Sequence, residues 1–258
     1  MTWSAQQYLA FEGERTRPVR DLLAAVPAVA ARSVLDIGCG PGNSTEVLLA
    51  RFPAARVSGI DSASDMISAA RRRLPAVCFE TADIRSWIEA SPPASESVIL
   101  ANAVLQWLPD HEALFPALAS KLEAGGCLAV QMPDNLGEPA QIAMREIAAA
   151  GPWRDRLAKL GEARTAIQPA DWYYRLLRKH CSRVEVWRTT YFHPLAGSAA
   201  IVEWFKGSGL RPFLDALSSD EQPDYLARYL TRIERCYPRS EDGTVLLPFP
   251  RLFIVATR

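Results

Sequence analysis

Three glycines at alternate positions, Gly38, Gly40 and Gly42, follow a short apolar run that contains Asp36. Glycine has no side chain and adopts conformations that other residues avoid, so such a turn leaves its backbone N–H groups open to a ligand. A second acid, Asp61, follows about 20 residues later, where a ribose-binding carboxylate is expected in a doubly wound fold. The spacing therefore predicts a nucleotide-cofactor loop.

The glycine spacing also distinguishes between cofactors. Dinucleotide sites show GxGxxG, whereas this loop reads GxGxG with an acid two residues before its first glycine. That form resembles the S-adenosylmethionine-dependent methyltransferases of the Rossmann-like class. The resemblance implies cofactor contacts from Asp36, Gly38, Gly40, Asp61, Ser62, Met66, Asp83, Ile84 and Asn102. We also expect Arg15, from its position alone, to hold the carboxylate of the cofactor.

Roles within that set follow from the parts of the cofactor. Asp61 would accept hydrogen bonds from the ribose hydroxyls, and Met66 would pack on the adenine. Asp83 matches the place of a carboxylate that accepts from the adenine amine, although it could instead cap a helix ahead of Trp87. The Asn102 carbonyl is suited to the cofactor ammonium.

The acceptor side depends on positioning, because methyl transfer from a sulfonium is an in-line displacement. A carboxylate acceptor, with a pKa of roughly 4, is ionised near neutrality and needs no general base. The motifs contain no obvious base dyad or metal spacing, so we expect Gln106 and Trp107 to act by positioning. Aromatic and arginine side chains suit a planar polyacid. The substrate candidates are therefore Trp107, Asn135, Tyr191, Trp204, Arg211 and Arg251.

Strands and helices alternate as far as about residue 150, a pattern that favours a parallel sheet with right-handed crossovers. Residues 183–192 and 251–257 add a sixth and a seventh strand, separated by the mostly helical residues 198–238. We therefore predict a Rossmann-like α/β fold with a seven-stranded, mostly parallel sheet and helices on both faces. As in the methyltransferase class, the last strand would run antiparallel. A helical lid inserted between the last two strands would then cover the cofactor edge.

Within a single domain of residues 1–258, we assign residues 20–150 to the cofactor-binding core and residues 246–258 to its last strand. Residues 1–19 and 150–245 would form a cap and insertion that cover the substrate. At the start of the core, Asn43 and Glu46 have the spacing of a helix cap.

A later apolar helical stripe begins at Leu114 and should end at Gly125 and Gly126, before a fifth strand.

The composition favours a protein that acts on a small-molecule substrate. The 258 residues include 29 basic and 29 acidic side chains, so no net field draws the chain to nucleic acid or to an anionic membrane. Five cysteines without pair or metal spacing indicate reduced thiols, and the N-terminal residues lack the apolar region of a secretion signal. We expect a cytoplasmic monomer that binds a small polycarboxylate, no nucleic acid and no membrane.

Motifs along nearly the whole chain resemble one subgroup, the bacterial trans-aconitate 2-methyltransferases. They are ERTRP at residues 14–18, GCGPGNST at 38–45, GIDSASDM at 59–66, ADIRSW at 82–87, LQWLPDHEALFP at 105–116, LAVQMPDN at 128–135, VWRTTYFH at 186–193, GLRPF at 209–213 and FPRLFIVA at 249–256. The resemblance implies methyl transfer from S-adenosylmethionine to one carboxylate of trans-aconitate, giving a monomethyl ester and S-adenosylhomocysteine. The alternatives are methylation of another small acid or a hydroxyl acceptor, a nicotinamide-dependent oxidoreductase, and a cofactor-binding module without catalysis.

Overall fold

A computed structural model of the chain describes residues 11–27, 30–157, 159–160 and 166–258. Its strands, in chain order, are β1 Ser33–Ile37, β2 Arg56–Asp61, β3 Cys78–Thr81, β4 Glu96–Asn102, β5 Leu122–Pro133, β6 Arg183–Leu195 and β7 Val245–Thr257. They form one sheet in the order β3-β2-β1-β4-β5-β7-β6. Strands β1 to β5 are parallel to one another, and β7 runs antiparallel between β5 and β6. The predicted Rossmann-like sheet is confirmed.

Helices cover both faces of this sheet and form a cap at its carboxyl edge. They are α1 Glu12–Ala25, α2 Asn43–Arg51, α3 Ser64–Arg73, α4 Ile84–Ala90, α5 His111–Lys121, α6 Pro139–Ala150, α7 Arg154–Leu157, α8 Ala170–Leu177, α9 Ser198–Lys206, α10 Arg211–Ala216 and α11 Gln222–Cys236. A 3-10 turn, Leu105–Trp107, follows β4. Within the described part of the chain, no helix has both the length and the apolar character needed to cross a membrane.

Alternate residues of the central strands point to opposite faces of the sheet, and both sets are buried. Leu35 and Ile37 belong to one apolar cluster, which α5 and α8 cover. Val34 and Val98 belong to the cluster on the other face, which α1 and α2 cover. Because all five residues of β1 are buried, the loop that follows β1 starts from a fixed point.

The cap has an apolar core of its own, built from α6, α7 and α9 to α11. Trp153, Tyr225 and Tyr229 are among its fully buried side chains. The Tyr225 hydroxyl donates to the Met144 carbonyl at 2.9 Å and so ties α11 to α6. The cap therefore grows from two insertions, one after β5 and one after β6.

The extent predicted for the cap needs correction. Helix α6 begins at Pro139, ahead of residue 150. Helix α8 and strand β6 lie within residues 150–245, but they belong to the core sheet and the layer that covers it. Long amphipathic segments of both parts look alike in the sequence, because each buries one apolar face.

Two further boundaries differ from the sequence expectations. Helix α2 has Gly42 as its N-cap residue, with a φ of 91° and no side-chain cap hydrogen bond. Asn43 is the first residue of the helix, and its side-chain amide donates to the Thr16 hydroxyl at 3.3 Å. Helix α5 ends at Lys121, before the two glycines, because Leu122 already pairs with Glu96 in the sheet.

Strand β7 begins at Val245, well before the expected start at residue 251. Its first half pairs with the end of β6, with Phe249 opposite Tyr191 and Val245 opposite Leu195. Val245 and Phe249 are buried in the apolar core of the cap. The two strands thus continue past the sheet as a ribbon that joins core and cap.

Candidate functional site

Two neighbouring cavities lie between the carboxyl edge of the sheet and the cap, and the first, the cofactor cavity, has a volume of about 310 Å³. Eight of the predicted cofactor residues line it, namely Gly38, Gly40, Asp61, Ser62, Met66, Asp83, Ile84 and Asn102. Its cap side is lined by Leu136, Gln141, Met144, Arg145, Leu160, Gly209, Pro212 and Phe213. The ends of β1 to β4 thus bring the predicted residues together.

Two glycines of the loop after β1 have different tasks. Gly38 has a φ of 67°, and a Cβ atom there would lie 2.4 Å from a methyl carbon of Val104. Gly40 has a φ of 54°, but a Cβ atom there would meet nothing within 4 Å. Gly38 therefore allows the loop to pack against the residues after β4, whereas Gly40 faces the open cavity.

The carboxylate of Asp61 supports the glycine loop from the end of β2. Its Oδ2 atom accepts from the Gly40 N–H and its Oδ1 atom accepts from the Ala63 N–H, both at 2.9 Å. Burial raises the pKa of this carboxyl, and the two N–H donors partly oppose that rise. The carboxylate is therefore held in one orientation at the wall of the cofactor cavity.

Asp36 does not line the cofactor cavity, so the expectation of a direct contact is corrected. It is fully buried, and its Oδ2 atom accepts from the hydroxyls of Ser44 at 2.7 Å and Thr45 at 2.6 Å. Burial raises the pKa of Asp36 to about 7, although the two hydroxyl donors lower it. This residue anchors the first turn of α2 behind the glycine loop.

Asp83 forms the helix cap that was one of the two roles predicted for it, and its position leaves the other role open. Its Oδ1 atom accepts from the Arg85 N–H at 2.8 Å and the Ser86 N–H at 3.3 Å, so it caps α4. The same residue lines the cofactor cavity beside Ile84. A helix cap fixes the side chain that a ligand would meet.

The 3-10 turn after β4 stands where the two cavities meet. Asn102, Ala103 and Trp107 line both of them. Ala103 adopts a φ of 55°, and its carbonyl accepts from the Gln106 amide Nε2 at 2.6 Å. The buried Asn102 Oδ1 and Gln106 Oε1 atoms have no hydrogen-bond partner among the described residues. Two acceptors are thus left for a ligand at this junction.

His111 fixes this turn from behind, and the sequence analysis did not identify it. Its Nε2–H donates to the Leu105 carbonyl at 2.9 Å, and its Nδ1 atom accepts from the Tyr173 hydroxyl at 2.6 Å. A carbonyl only accepts, so the two contacts define the tautomer. The position of His111 at the start of α5, four residues after Trp107, was the available signal.

The second cavity, here called the arginine cavity, has a volume of about 90 Å³. It is lined by Arg15, Asn102, Ala103, Gln106, Trp107, Pro133, Asn135, Gln141, Trp204, Phe205, Ser208, Gly209, Phe249 and Arg251. Four of the six substrate candidates, Trp107, Asn135, Trp204 and Arg251, are therefore brought together.

Arg15 lines the arginine cavity and not the cofactor cavity, so its expected contact with the cofactor stays a prediction. Its Nη2 atom donates to the Trp204 carbonyl at 3.3 Å, and its guanidinium lies 5.3 Å from the centre of the Trp204 ring. Arg251 donates to Gln131 Oε1 at 2.9 Å and lies 4.5 Å from the centre of the Phe249 ring. Both arginines are buried.

The other two substrate candidates line neither cavity. The Tyr191 hydroxyl donates to Asp21 at 2.6 Å, and its ring lies 5.9 Å from the Arg251 guanidinium, so Tyr191 supports that arginine from behind. Arg211 pairs with Asp215 one turn further along α10, at 3.0 Å, in a partly exposed position. Its neighbours Pro212 and Phe213 line the cofactor cavity instead.

His193 reports the positive charge of this region. It is buried, and its ring stacks on Trp204 with 4.7 Å between ring centres. Burial and, after it, the charges of Arg251, Arg17 and Arg15 together lower the pKa of His193 to about 4. His193 is therefore neutral at physiological pH.

Gln141 is another residue that sequence reasoning missed. It is buried in the first turn of α6 and lines both cavities. The signal was present, because Pro139 marks a helix start shortly after the end of β5.

Comparisons with known proteins agree on the class. A family model described as a methyltransferase domain matches residues 34–126. The chain is 54% identical, over 99% of both chains, to a trans-aconitate 2-methyltransferase of Rhodopseudomonas palustris (strain BisB5). It is 51% identical to a protein of the same name from Rhizobium etli, over the full length of both chains.

Solved structures share the fold at low sequence identity. The YcgJ protein of Bacillus subtilis superposes with a TM-score of 0.62 at 13% identity, covering 94% of this chain and 98% of that chain. Phosphoethanolamine N-methyltransferase 2 of Haemonchus contortus, crystallised with S-adenosyl-L-methionine, gives a TM-score of 0.55 at 15% identity, covering 94% of this chain and 52% of that chain.

Proposed function

Because the chain belongs to the trans-aconitate 2-methyltransferase family, we propose that it transfers the methyl group of S-adenosylmethionine to a carboxylate of trans-aconitate. The products are the monomethyl ester and S-adenosylhomocysteine. One observation supports this proposal above all. A cavity with a glycine loop and a fixed carboxylate adjoins a cavity with two buried arginines, and the two share Asn102, Ala103, Trp107, Gln141 and Gly209.

The cofactor cavity fits the parts of S-adenosylmethionine. Gly40 leaves room beside the loop, Asp61 would accept from the ribose hydroxyls and Asp83 from the adenine amine. The Asn102 Oδ1 atom, which has no donor among the described residues, suits the ammonium group. When bound there, the cofactor supplies an electrophilic methyl carbon, which a carboxylate oxygen accepts as the carbon–sulfur bond breaks.

The carboxylate acceptor does not require a general base. A carboxylate with a pKa of roughly 4 is ionised about a thousandfold over the acid near pH 7. Gln106 and Trp107 therefore act by positioning, and the cap excludes water from a step in which opposite charges neutralise each other. His193 lines neither cavity and has no role as a base.

Among the substrate candidates, Trp107, Asn135, Trp204 and Arg251 would contact the acceptor. Arg251 is suited to hold a carboxylate through its planar fork of donors. The Trp107 side chain, which lines both cavities, would separate the reacting carboxylate from the rest of the acceptor.

We also propose that the protein acts as a monomer in the cytoplasm. All five of its cysteines are free in the structure, which supports a reducing compartment. Size-exclusion chromatography with light scattering tests the monomer, and a dimer mass contradicts it.

The test of the proposed function is turnover with methyl-labelled S-adenosylmethionine against trans-aconitate, cis-aconitate, isocitrate and citrate. The expected result is preferred labelling of trans-aconitate, with one methyl group per molecule by mass spectrometry. A reaction without acceptor controls for cofactor breakdown. Cofactor binding without methylation of any of these acids would contradict the proposal.

A further inference from the structure

The arginine cavity receives its two guanidinium groups from separate parts of the chain. Arg15 comes from α1 and Arg251 from β7. Each guanidinium lies over one aromatic ring, Trp204 or Phe249, and the centres of these rings are 5.7 Å apart. The Gln131 amide oxygen and the Trp204 carbonyl fix them further. Both cations therefore line one small cavity, and each is held by an aromatic ring and a hydrogen bond.

The charge of this cavity points to an anionic ligand. Its described lining includes two arginines and no aspartate or glutamate. Arg15, at 7% exposure, and Arg251, at 4%, are shielded from bulk water, so their attraction for an anion is screened little. The nearby His193 is neutral and does not change the charge of the cavity.

The volume restricts what the cavity can hold. A space of about 90 Å³ corresponds to roughly three water molecules at their liquid volume. A small tricarboxylic acid would fit only in part, with its remaining carboxylate at the junction beside Trp107. The cavity thus has the size for the carboxylate-bearing arms of an acceptor.

We propose that Arg15 and Arg251 form a paired subsite that binds the two carboxylates of the acceptor which are not methylated. Arg15 is then a specificity residue for substrate and not a cofactor ligand. The inference rests on the proposed function and deepens it, because it explains why a tricarboxylate is preferred as the acceptor. Each arginine binds one carboxylate, and the third carboxylate is left at the junction as the nucleophile.

Three dicarboxylates each lack one carboxylate of trans-aconitate and so serve as matched probes. Methylfumarate lacks the carboxylate on the CH₂ arm, (Z)-glutaconate lacks the central one, and itaconate lacks the one on the alkene CH. The ester position on trans-aconitate, determined first by NMR, shows which two of these acids retain the reacting carboxylate. Those two acids are then compared with trans-aconitate in kcat/KM.

The wild-type enzyme is expected to prefer trans-aconitate over both dicarboxylates by about 10- to 100-fold, the usual effect of one hydrogen bond to a charged group. In Arg15→Gln, the kcat/KM of trans-aconitate is expected to fall to that of one of the two dicarboxylates. The kcat/KM of that dicarboxylate is expected to be the same in Arg15→Gln as in wild type, because it has no carboxylate for Arg15 to bind. In Arg251→Gln the same happens with the other dicarboxylate. Arg15→Lys, which keeps the charge but not the fork, is expected to lie between wild type and Arg15→Gln.

Binding of S-adenosylhomocysteine, measured by calorimetry, separates substrate from cofactor roles. Its Kd should be unchanged in Arg15→Gln, as in the control Arg20→Gln, which removes an exposed arginine from the same helix. Thermal unfolding of each variant shows whether it folds. If Arg15→Gln does not fold, Arg15→Lys is compared with wild type in its place.

A weaker Kd for S-adenosylhomocysteine in Arg15→Gln, with equal losses for the tricarboxylate and both dicarboxylates, would overturn the paired subsite. Failure of the proposed function has a different signature, because the wild-type enzyme would then methylate none of these acids.

Discussion

The cofactor cavity and the arginine cavity share a wall but are assembled in different ways. The core side of the first uses strand ends that follow one another in the chain, from Gly38 to Asn102. The second joins α1, the 3-10 turn, the end of β5, α9 and β7. Its Arg15–Trp204 hydrogen bond spans 189 positions of sequence. In the proposed function, the polar groups that bind the cofactor are therefore set mainly by the sheet, whereas binding of the acceptor depends on how cap and core pack.

This difference predicts that substitutions can separate the two cavities. A change at the carboxyl ends of β1 to β3 should weaken binding of the cofactor. It should leave the KM of the acceptor unchanged when the cofactor is saturating. A change that moves Arg15 or Arg251 should do the reverse. Residues at the junction, such as Asn102 and Trp107, should affect both.

The largest separation is expected from Asp61→Ala. It removes the acceptor for the Gly40 and Ala63 N–H groups as well as the proposed ligand of the ribose, so the Kd of S-adenosylhomocysteine should rise by about 100-fold. The KM of trans-aconitate at saturating cofactor should stay the same. Calorimetry and steady-state kinetics measure the two effects. Asp65→Ala, which removes an exposed acid from the neighbouring helix, is the control, and equal loss in both variants would refute the assignment.

The two loop glycines test the division of labour inside the cofactor cavity. Gly38→Ala is expected to lower the free energy of unfolding by about 3 kcal/mol, because it adds a clash with Val104 to an unfavourable φ. Gly40→Ala has the unfavourable φ alone and should cost about 1 to 2 kcal/mol. Urea denaturation compares both with Gly137→Ala, which meets no neighbouring atom. A larger cost at Gly40 than at Gly38 would contradict this account of the loop.

On the other side of the wall, Gln131→Leu should affect only the acceptor. Gln131 is fully buried outside both cavities and holds Arg251 through its amide oxygen. Loss of this contact should raise the KM of trans-aconitate about tenfold, with kcat nearly unchanged, as for a lost hydrogen bond to a charged group. The Kd of S-adenosylhomocysteine should not move. A fall in kcat without a change in KM would show that Gln131 does not act through Arg251.

The difference between the two cavities also explains which of their residues could be predicted from the sequence. Strand alternation was enough to predict the parallel part of the sheet. The resemblance carried by the glycine loop and its two acids implied the antiparallel last strand and eight residues that line the cofactor cavity. The place of Arg15 in the arginine cavity could not be predicted, because it depends on the fold of a helix nearly 190 positions away. Asp36 was taken for a ligand, since a buried carboxylate bound by two hydroxyls looks the same in the sequence as a ligand-binding one.

The smallest effect expected is a pH dependence of stability, which reports the positive charge beside the arginine cavity. The pKa of His193 is about 4 in the folded protein because of burial and of Arg251, Arg17 and Arg15, whereas an unfolded histidine has a pKa of about 6.5. The unfolded chain therefore binds more protons between these values, and stability falls as the pH falls through 6.5 towards 4. Relative to His193→Phe, which keeps the stacking on Trp204 but does not titrate, wild type should lose about 1 kcal/mol between pH 7 and pH 5.5. Urea denaturation at the two pH values measures this difference, and parallel pH profiles would show that the pKa of His193 is not lowered in the folded protein.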